Sequence, residues 1–118
     1  MTEKDEQKTL FAWASYRSDL SLMFHIANEG KRSVQHTQML LQMGMKPGVP
    51  DIMLPVAKGR YHGLFIEMKR RDGKLTEAQR SWQRALLENG YAAVVCRGFE
   101  EARETIDWYM RGAKHEGL

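Results

Sequence analysis

A run of five apolar residues at positions 92–96 limits the fold of this chain more than any other segment. Its side chains do not alternate between polar and apolar, as those of a half-exposed strand would. A continuous apolar run of this length is typical of a strand buried at the centre of a sheet. Such a strand predicts an α/β protein in which helices pack on the sheet.

The other periodicities predict the element order αβαββαβα. Helices are expected over residues 4–18, 33–44, 76–89 and 99–112, and strands over residues 22–26, 51–55, 63–69 and 92–96. Because the strand connections mix a hairpin with crossovers, we expect a mixed β-sheet flanked by helices. The chain has 118 residues and no evident linker or repeat, so one domain over residues 1–118 is expected.

Composition and missing motifs exclude several classes of protein. The single cysteine, Cys96, rules out a disulfide scaffold and a cysteine-rich zinc site, and its apolar strand favours a core role. The four histidines stand at no zinc-ligand spacing, and no P-loop, GxSxG or GxGxxG motif is present. The charged N-terminus and the lack of a run of about 20 apolar residues predict a cytoplasmic protein without a membrane partner.

Acid-x-lysine triplets are common in this chain, so the pattern alone says little. Fifteen acids and eight lysines in 118 residues give about one triplet by chance, and four occur: Glu6/Lys8, Glu29/Lys31, Glu67/Lys69 and Asp72/Lys74. Glu67 and Lys69 stand out because they end the apolar strand at 63–69, on the face opposite Leu64, Ile66 and Met68. This placement fits an ordinary solvated acid–base pair, and it equally fits a metal site at a sheet edge.

Asp51 favours the metal site. It begins the preceding strand, and a short loop joins the two strands as a hairpin, so Asp51 and Glu67 should meet at one end. Two close carboxylates repel unless a cation lies between them, and oxygen ligands suit Mg²⁺ or Mn²⁺. Such a site fits phosphodiester hydrolysis, with Lys69 orienting water or offsetting charge on the phosphate.

Several further residues could join this site. Lys31, Arg32, Arg70 and Arg71 are basic residues that would hold a DNA backbone, or they form solvated turns. Glu6 shares a helix face with Leu10 and Trp13, so it points inward or is exposed at a frayed end. Gln79 stands three residues after Thr76, where a capping box explains it as well as a catalytic role does.

Three segments together resemble the VRR-Nuc (virus-type replication–repair nuclease) family of the PD-(D/E)XK nuclease superfamily: residues 48–51, 63–69 and 75–79. The resemblance extends over nearly the whole chain and implies a restriction-endonuclease-like α/β core. It implies that Asp51, Glu67 and the backbone carbonyl of Met68 bind the metal, and that Lys69 and Gln79 are catalytic. Glu6 matches the acid of the first helix, although Glu3 is close enough to leave the choice open.

The resemblance also implies an activity and an assembly. Family members are Mg²⁺- or Mn²⁺-dependent DNA endonucleases of branched or repair structures. Small stand-alone members of phages and bacteria are linked to the cutting of four-way (Holliday) junctions as homodimers. A C2 dimer would give such a junction two active sites with its own symmetry. The apolar segment at residues 22–26 is a candidate interface.

Other functions remain open on the sequence. The chain could cut flaps or other branched DNA, or act as a nonspecific nuclease. It could also be a DNA-binding module without catalysis, or a small interaction protein in which the charged strand end has no chemical role. The net charge of +3 permits a nucleic-acid partner without requiring one.

Overall fold

The structure is a computed structural model that describes residues 1–27 and 32–112. Helices and strands follow one another in the predicted order. The helices are α1 (Glu3–Ala14), α2 (Val34–Gln42), α3 (Glu77–Glu88) and α4 (Phe99–Met110), and the strands are β1 (Phe24–His25), β2 (Ile52–Leu54), β3 (Leu64–Met68) and β4 (Ala92–Cys96). A single 3-10 turn, Ser18–Leu20, follows α1.

Seven of the eight elements are two or three residues shorter than the sequence analysis predicts, and β4 is the exception. The first helix ends at Ala14 instead of residue 18, and the 3-10 turn after it buries Leu20 against the core. The strand predicted over residues 22–26 contains two residues, both exposed. Of the helices that the described residues form, none is long and apolar enough to cross a membrane.

The sheet is mixed, as predicted, with strand order β1-β2-β3-β4. The pairs β1/β2 and β2/β3 are antiparallel, and β3/β4 is parallel, with α3 as the crossover. The prediction of a central position for residues 92–96 is wrong, because among the described residues β4 pairs with β3 alone. Its apolar run is explained by coverage of both faces: Ala92 and Cys96 pack in one cluster and Ala93 in another.

Helices cover both faces of the sheet. On one face Leu64, Ile66 and Met68 of β3 pack in a cluster that includes residues of α1 and α4. On the other face Phe65, which is 9% exposed, packs with Leu86 of α3. The central strand β3 is therefore buried along its whole length, and the chain comes to the surface again at Lys69 and Arg70, directly after its C-terminal end.

Candidate active site

The antiparallel pair β2/β3 aligns Asp51 with Glu67. Ile52 pairs with Ile66 in the register, and extension by one position places the two acids opposite each other. Each acid is only 7% exposed. Buried carboxylates side by side are costly unless hydrogen bonds or cations compensate them, so their surroundings decide what this pair can do.

Asp51 is held by both neighbouring strands. Its Oδ2 accepts a hydrogen bond from the backbone N–H of Met68 at 2.8 Å. Its carbonyl oxygen accepts the N–H of Ile26 at 2.6 Å and lies 2.9 Å from Nδ1 of His25. The carboxylate is thus fixed at the end of β3 through Oδ2.

Glu67 is contacted by Gln79 at the start of α3. The Nε2 of Gln79 donates to Oε2 of Glu67 at 3.2 Å. The Oε1 of Gln79 accepts the N–H of Thr76 at 2.9 Å. The Oγ1 of Thr76 in turn accepts the N–H of Gln79 at 3.1 Å, which completes a capping box. The two interpretations of Gln79 are therefore compatible, because one amide caps the helix with its oxygen and reaches Glu67 with its nitrogen.

Lys69 follows directly on β3. Its N–H donates to the carbonyl of Cys96 at 3.0 Å, which extends the parallel pairing with β4 by one residue. The side chain is partly exposed at the point where the chain enters the turn at residues 70–73. A charged amine at this place lies two residues from Glu67, on the same side of the strand.

Two of the four basic residues predicted to hold DNA lie in this turn. Arg70 and Arg71 are exposed, and Nε of Arg70 lies 3.4 Å from Oδ1 of Asp72. Arg32 is partly buried, with Nη1 at 3.5 Å from the sulfur of Met45. Lys31 lies outside the described residues.

Glu6 and Glu3 point to different surroundings. Oε1 of Glu6 accepts the N–H of Phe99 at 2.7 Å, at the start of α4. Glu3 instead lines an open cleft together with Asp51. The structure thus brings Glu3, and not Glu6, to the cleft that Asp51 lines.

This cleft has a volume of about 880 Å³ and lies beside the N-terminal half of α1. Lys4, Lys8, Phe11 and Arg70 are among the residues that line it. Neither Lys4 nor Lys8 was among the residues predicted from the sequence to join the site, although a spacing of four residues on a helix places them on one face. Glu67 does not line this cleft; it lines a separate, smaller pocket together with Gln79.

The donor set suits a hard cation with a partial water shell. Within residues 1–27 and 32–112, no three His, Cys, Asp or Glu side chains form a metal-binding cluster. Mg²⁺ in proteins is held by one or two carboxylates and keeps several waters, so two carboxylates and a backbone oxygen are sufficient. Asp51 and Glu67 supply two carboxylates of this kind at aligned strand positions.

Cys96 does not belong to the reactive groups. It is 1% exposed, and burial raises the pKa of its thiol to about 11, partly opposed by a hydrogen bond to Thr105. A thiol with this pKa is protonated at neutral pH and is a poor nucleophile. This agrees with the core role that its strand predicted.

Two comparisons with known proteins identify the same domain. A family model of the VRR-NUC domain matches residues 1–100. A solved structure described as "VRR_NUC domain protein" superposes with a TM-score of 0.83 at 28% sequence identity, over 95% of this chain and 90% of that chain. No curated protein sequence matches the chain.

Proposed function

Because the chain belongs to the VRR-NUC domain family of nucleases, we propose that it is a Mg²⁺- or Mn²⁺-dependent DNA endonuclease that cuts four-way junctions as a homodimer. One observation carries the proposal of metal-dependent hydrolysis. Two buried acids, Asp51 and Glu67, stand at aligned positions of an antiparallel strand pair, and Lys69 follows two residues after Glu67. Acid, acid and lysine at one strand end form the minimal set for this chemistry.

The metal would be held by Asp51, Glu67 and the carbonyl of Met68. In a strand, the N–H and C=O of one residue point to the same side. The N–H of Met68 donates to Asp51, so its carbonyl is directed to that side as well. A bound cation would polarise the phosphate and lower the pKa of a coordinated water.

The side chains beside these acids supply the remaining functions. The ammonium group of Lys69 offsets charge that develops on the phosphate oxygens, or orients the attacking water. Gln79 holds Glu67 in place through its Nε2 while its Oε1 stays fixed by the helix cap. The first-helix acid is Glu3 in this proposal, since Glu6 is engaged with the backbone of α4.

DNA would lie across the basic turn and the cleft. Arg70 and Arg71 are exposed directly after Lys69, and Lys4 and Lys8 line the cleft on its other wall. Contacts of this kind bind phosphates irrespective of sequence. We retain Lys31 and Arg32, which are adjacent in the sequence, as proposed contacts with the DNA backbone because both are basic.

The exposed edge of the sheet supports the homodimer. β1 pairs with β2 alone among the described residues, and its Phe24 is 44% exposed. All nine residues of α2 are at least partly exposed, with Val34, Met39 and Leu41 among its large exposed apolar residues. We propose that a second copy covers this surface, and that the enzyme works in the cytoplasm of a bacterial or phage-infected cell.

A cleavage assay tests the proposal. The purified protein is incubated with a labelled four-way junction, a flap and a linear duplex, in Mg²⁺, Mn²⁺ or EDTA. Paired nicks in the junction are expected, abolished by EDTA and by Asp51→Ala, Glu67→Ala or Lys69→Ala. Lys58→Ala, in the loop at the far end of the β2/β3 hairpin, is the matched control.

Each other outcome has a definite meaning. Unchanged cutting by the Lys69→Ala protein would contradict the mechanism. Faster cutting of the flap or of linear duplex would replace the junction as substrate. Binding to DNA without cutting in either metal would identify a module that lacks catalysis.

A further inference from the structure

Arg97 makes an unusual set of contacts directly behind the proposed catalytic lysine. It follows β4, and its Nη1 donates to the carbonyl of Arg70 at 2.7 Å and to that of Gly73 at 2.6 Å. The carbonyl of Arg71 lies 3.3 Å from the same nitrogen. The two hydrogens of Nη1 serve the two short contacts, and the third contact shares one of them.

Arg97 itself is fixed on both sides. Its N–H donates to Oε1 of Glu101 in the first turn of α4 at 2.8 Å. The residue before it, Cys96, accepts the N–H of Lys69 at 3.0 Å. The backbone of Arg97 is therefore held between β4 and α4, while its guanidinium donates to carbonyls of the turn at residues 70–73.

The turn at residues 70–73 lies against the aliphatic part of the Lys69 side chain. A Cβ built on Gly73 would stand 3.4 Å from Cδ of Lys69 and 3.4 Å from the carbonyl oxygen of Arg70. The N–H of Gly73 also donates to that carbonyl, at 3.1 Å, which closes the turn. Where the turn sits thus determines where the Lys69 stem can lie.

We propose that Arg97 is a positioning residue, which holds Lys69 in its catalytic place through the turn at residues 70–73. The inference rests on the proposed nuclease function. Hydrogen bonds from a charged donor are roughly twice as strong as neutral ones, so one guanidinium can fix a turn that has little core of its own.

A direct phosphate contact by Arg97 would behave differently. Loss of a phosphate contact raises KM and leaves kcat unchanged. It also lowers the slope of log affinity against log salt concentration by about one. Loss of a positioning contact lowers kcat, because a displacement of about 1 Å in a catalytic group can cost on the order of 100-fold. The kinetic split therefore separates the two roles.

The test compares Arg97→Ala, Arg97→Lys and Arg103→Ala with the wild-type protein on the DNA that the wild type cuts. Arg103 pairs with Glu100 on α4, away from the turn. The Arg103→Ala substitution therefore removes the same charge as Arg97→Ala without touching the turn. We expect kcat to fall at least tenfold in Arg97→Ala, by less in Arg97→Lys, and not at all in Arg103→Ala. Hydrogen exchange of a peptide covering residues 69–75, and trypsin cleavage after Arg70, Arg71 and Lys74, should accelerate in the same order.

These readouts keep the two proposals apart. If the wild type cuts no DNA, the proposed function fails, while exchange and proteolysis still test the hold of Arg97 on the turn. Wild-type kcat in Arg97→Ala, or lost activity with unchanged protection of the turn, would overturn the positioning role. Should the alanine variant fail to fold, the Arg97→Lys variant tests the proposal instead. Faster hydrogen exchange of the turn in this variant, together with an unchanged kcat, would contradict the inference.

Discussion

Glu6 in the first helix and Phe99 at the start of the last helix are joined by a hydrogen bond of 2.7 Å, from the N–H of Phe99 to Oε1 of Glu6. The N-cap of α4 is Gly98, which has no side chain that could cap the helix. The cap is supplied by a carboxylate from another element, and its charge lies at the positive end of the helix dipole. Glu6 thus connects α1 to α4, which pack on the same face of the sheet.

This contact predicts a separation of stability from catalysis between Glu6 and Glu3. Glu6→Ala should destabilise the protein by about 1 kcal/mol, as the loss of an N-cap does, and leave kcat of the folded protein unchanged. Glu3→Ala should lower kcat with little change in stability. Urea unfolding and cleavage rates measure the two effects. A stable Glu6→Ala protein without activity would make Glu6 the acid of the first helix.

Metal binding should be visible without any DNA. If Asp51 and Glu67 hold the cation, Mn²⁺ at ten times its Kd stabilises the fold by about 1.4 kcal/mol and raises the Tm by roughly 4 °C or more. The isosteric variants Asp51→Asn and Glu67→Gln should lose this increase. Asp72→Asn, an exposed acid of the nearby turn, is the control that should keep it. An equal increase in all four proteins would place the metal elsewhere.

Gln79 allows its two roles to be tested separately. Glutamate also serves in a capping box, so Gln79→Glu should keep the cap of α3 while it sets a second carboxylate against Glu67. Activity should fall by about 10–100-fold, the usual cost of losing a group that orients a metal ligand. Gln79→Ala should lose both the cap and the activity. Full activity in Gln79→Glu would restrict Gln79 to the helix cap.

The dimer proposal predicts that one surface is sensitive to charge. Met39→Glu in α2 and Phe24→Glu in β1 should weaken dimerisation at least tenfold, because a buried unpaired carboxylate opposes association. Leu87→Glu on α3 is a control matched to Met39, since the two side chains are 47% and 46% exposed. Light scattering across a concentration series gives the molecular mass. A monomeric wild-type protein at assay concentration would remove the dimer.

The thiol of Cys96 should resist alkylation while the protein is folded. Its raised pKa of about 11 keeps it protonated at pH 8, and burial blocks access. Protonation favours the folded state, so this contribution is complete below the ordinary thiol pKa and is lost as pH rises toward 11. Mass spectrometry after iodoacetamide treatment should find modification only in denaturant. Rapid labelling at pH 8 in buffer would contradict this environment.

Local patterns predicted most of the elements and the pairing of the acids. Alternation along residues 63–69 assigned the faces of β3, and the spacing of Thr76 and Gln79 indicated the capping box that the structure contains. Both signals reach only a few residues along the chain. They were sufficient because the hairpin register between Asp51 and Glu67 follows from two neighbouring strands.

Contacts between distant parts of the chain could not be predicted in this way. The partner of Glu6 is 93 residues away, and the turn that Arg97 grips is more than 20 residues away. The edge position of β4 could not be predicted for a related reason. A continuous apolar run reports that both faces are covered, but it does not report how many strands lie beside it.

The parallel pairing of β3 with β4 has a consequence for how the protein folds. It joins residues 28 positions apart, such as Leu64 and Ala92, and it forms only when the whole crossover through α3 has closed. Long-range closure of this kind is slow compared with hairpin formation. Lys69 gains its backbone pairing with Cys96 only with that closure, whereas Asp51 and Glu67 come into line in the local hairpin. In the proposed mechanism, a chain that has formed only the hairpin would therefore hold the two acids without the position that β4 gives to Lys69, and we expect it not to cut DNA.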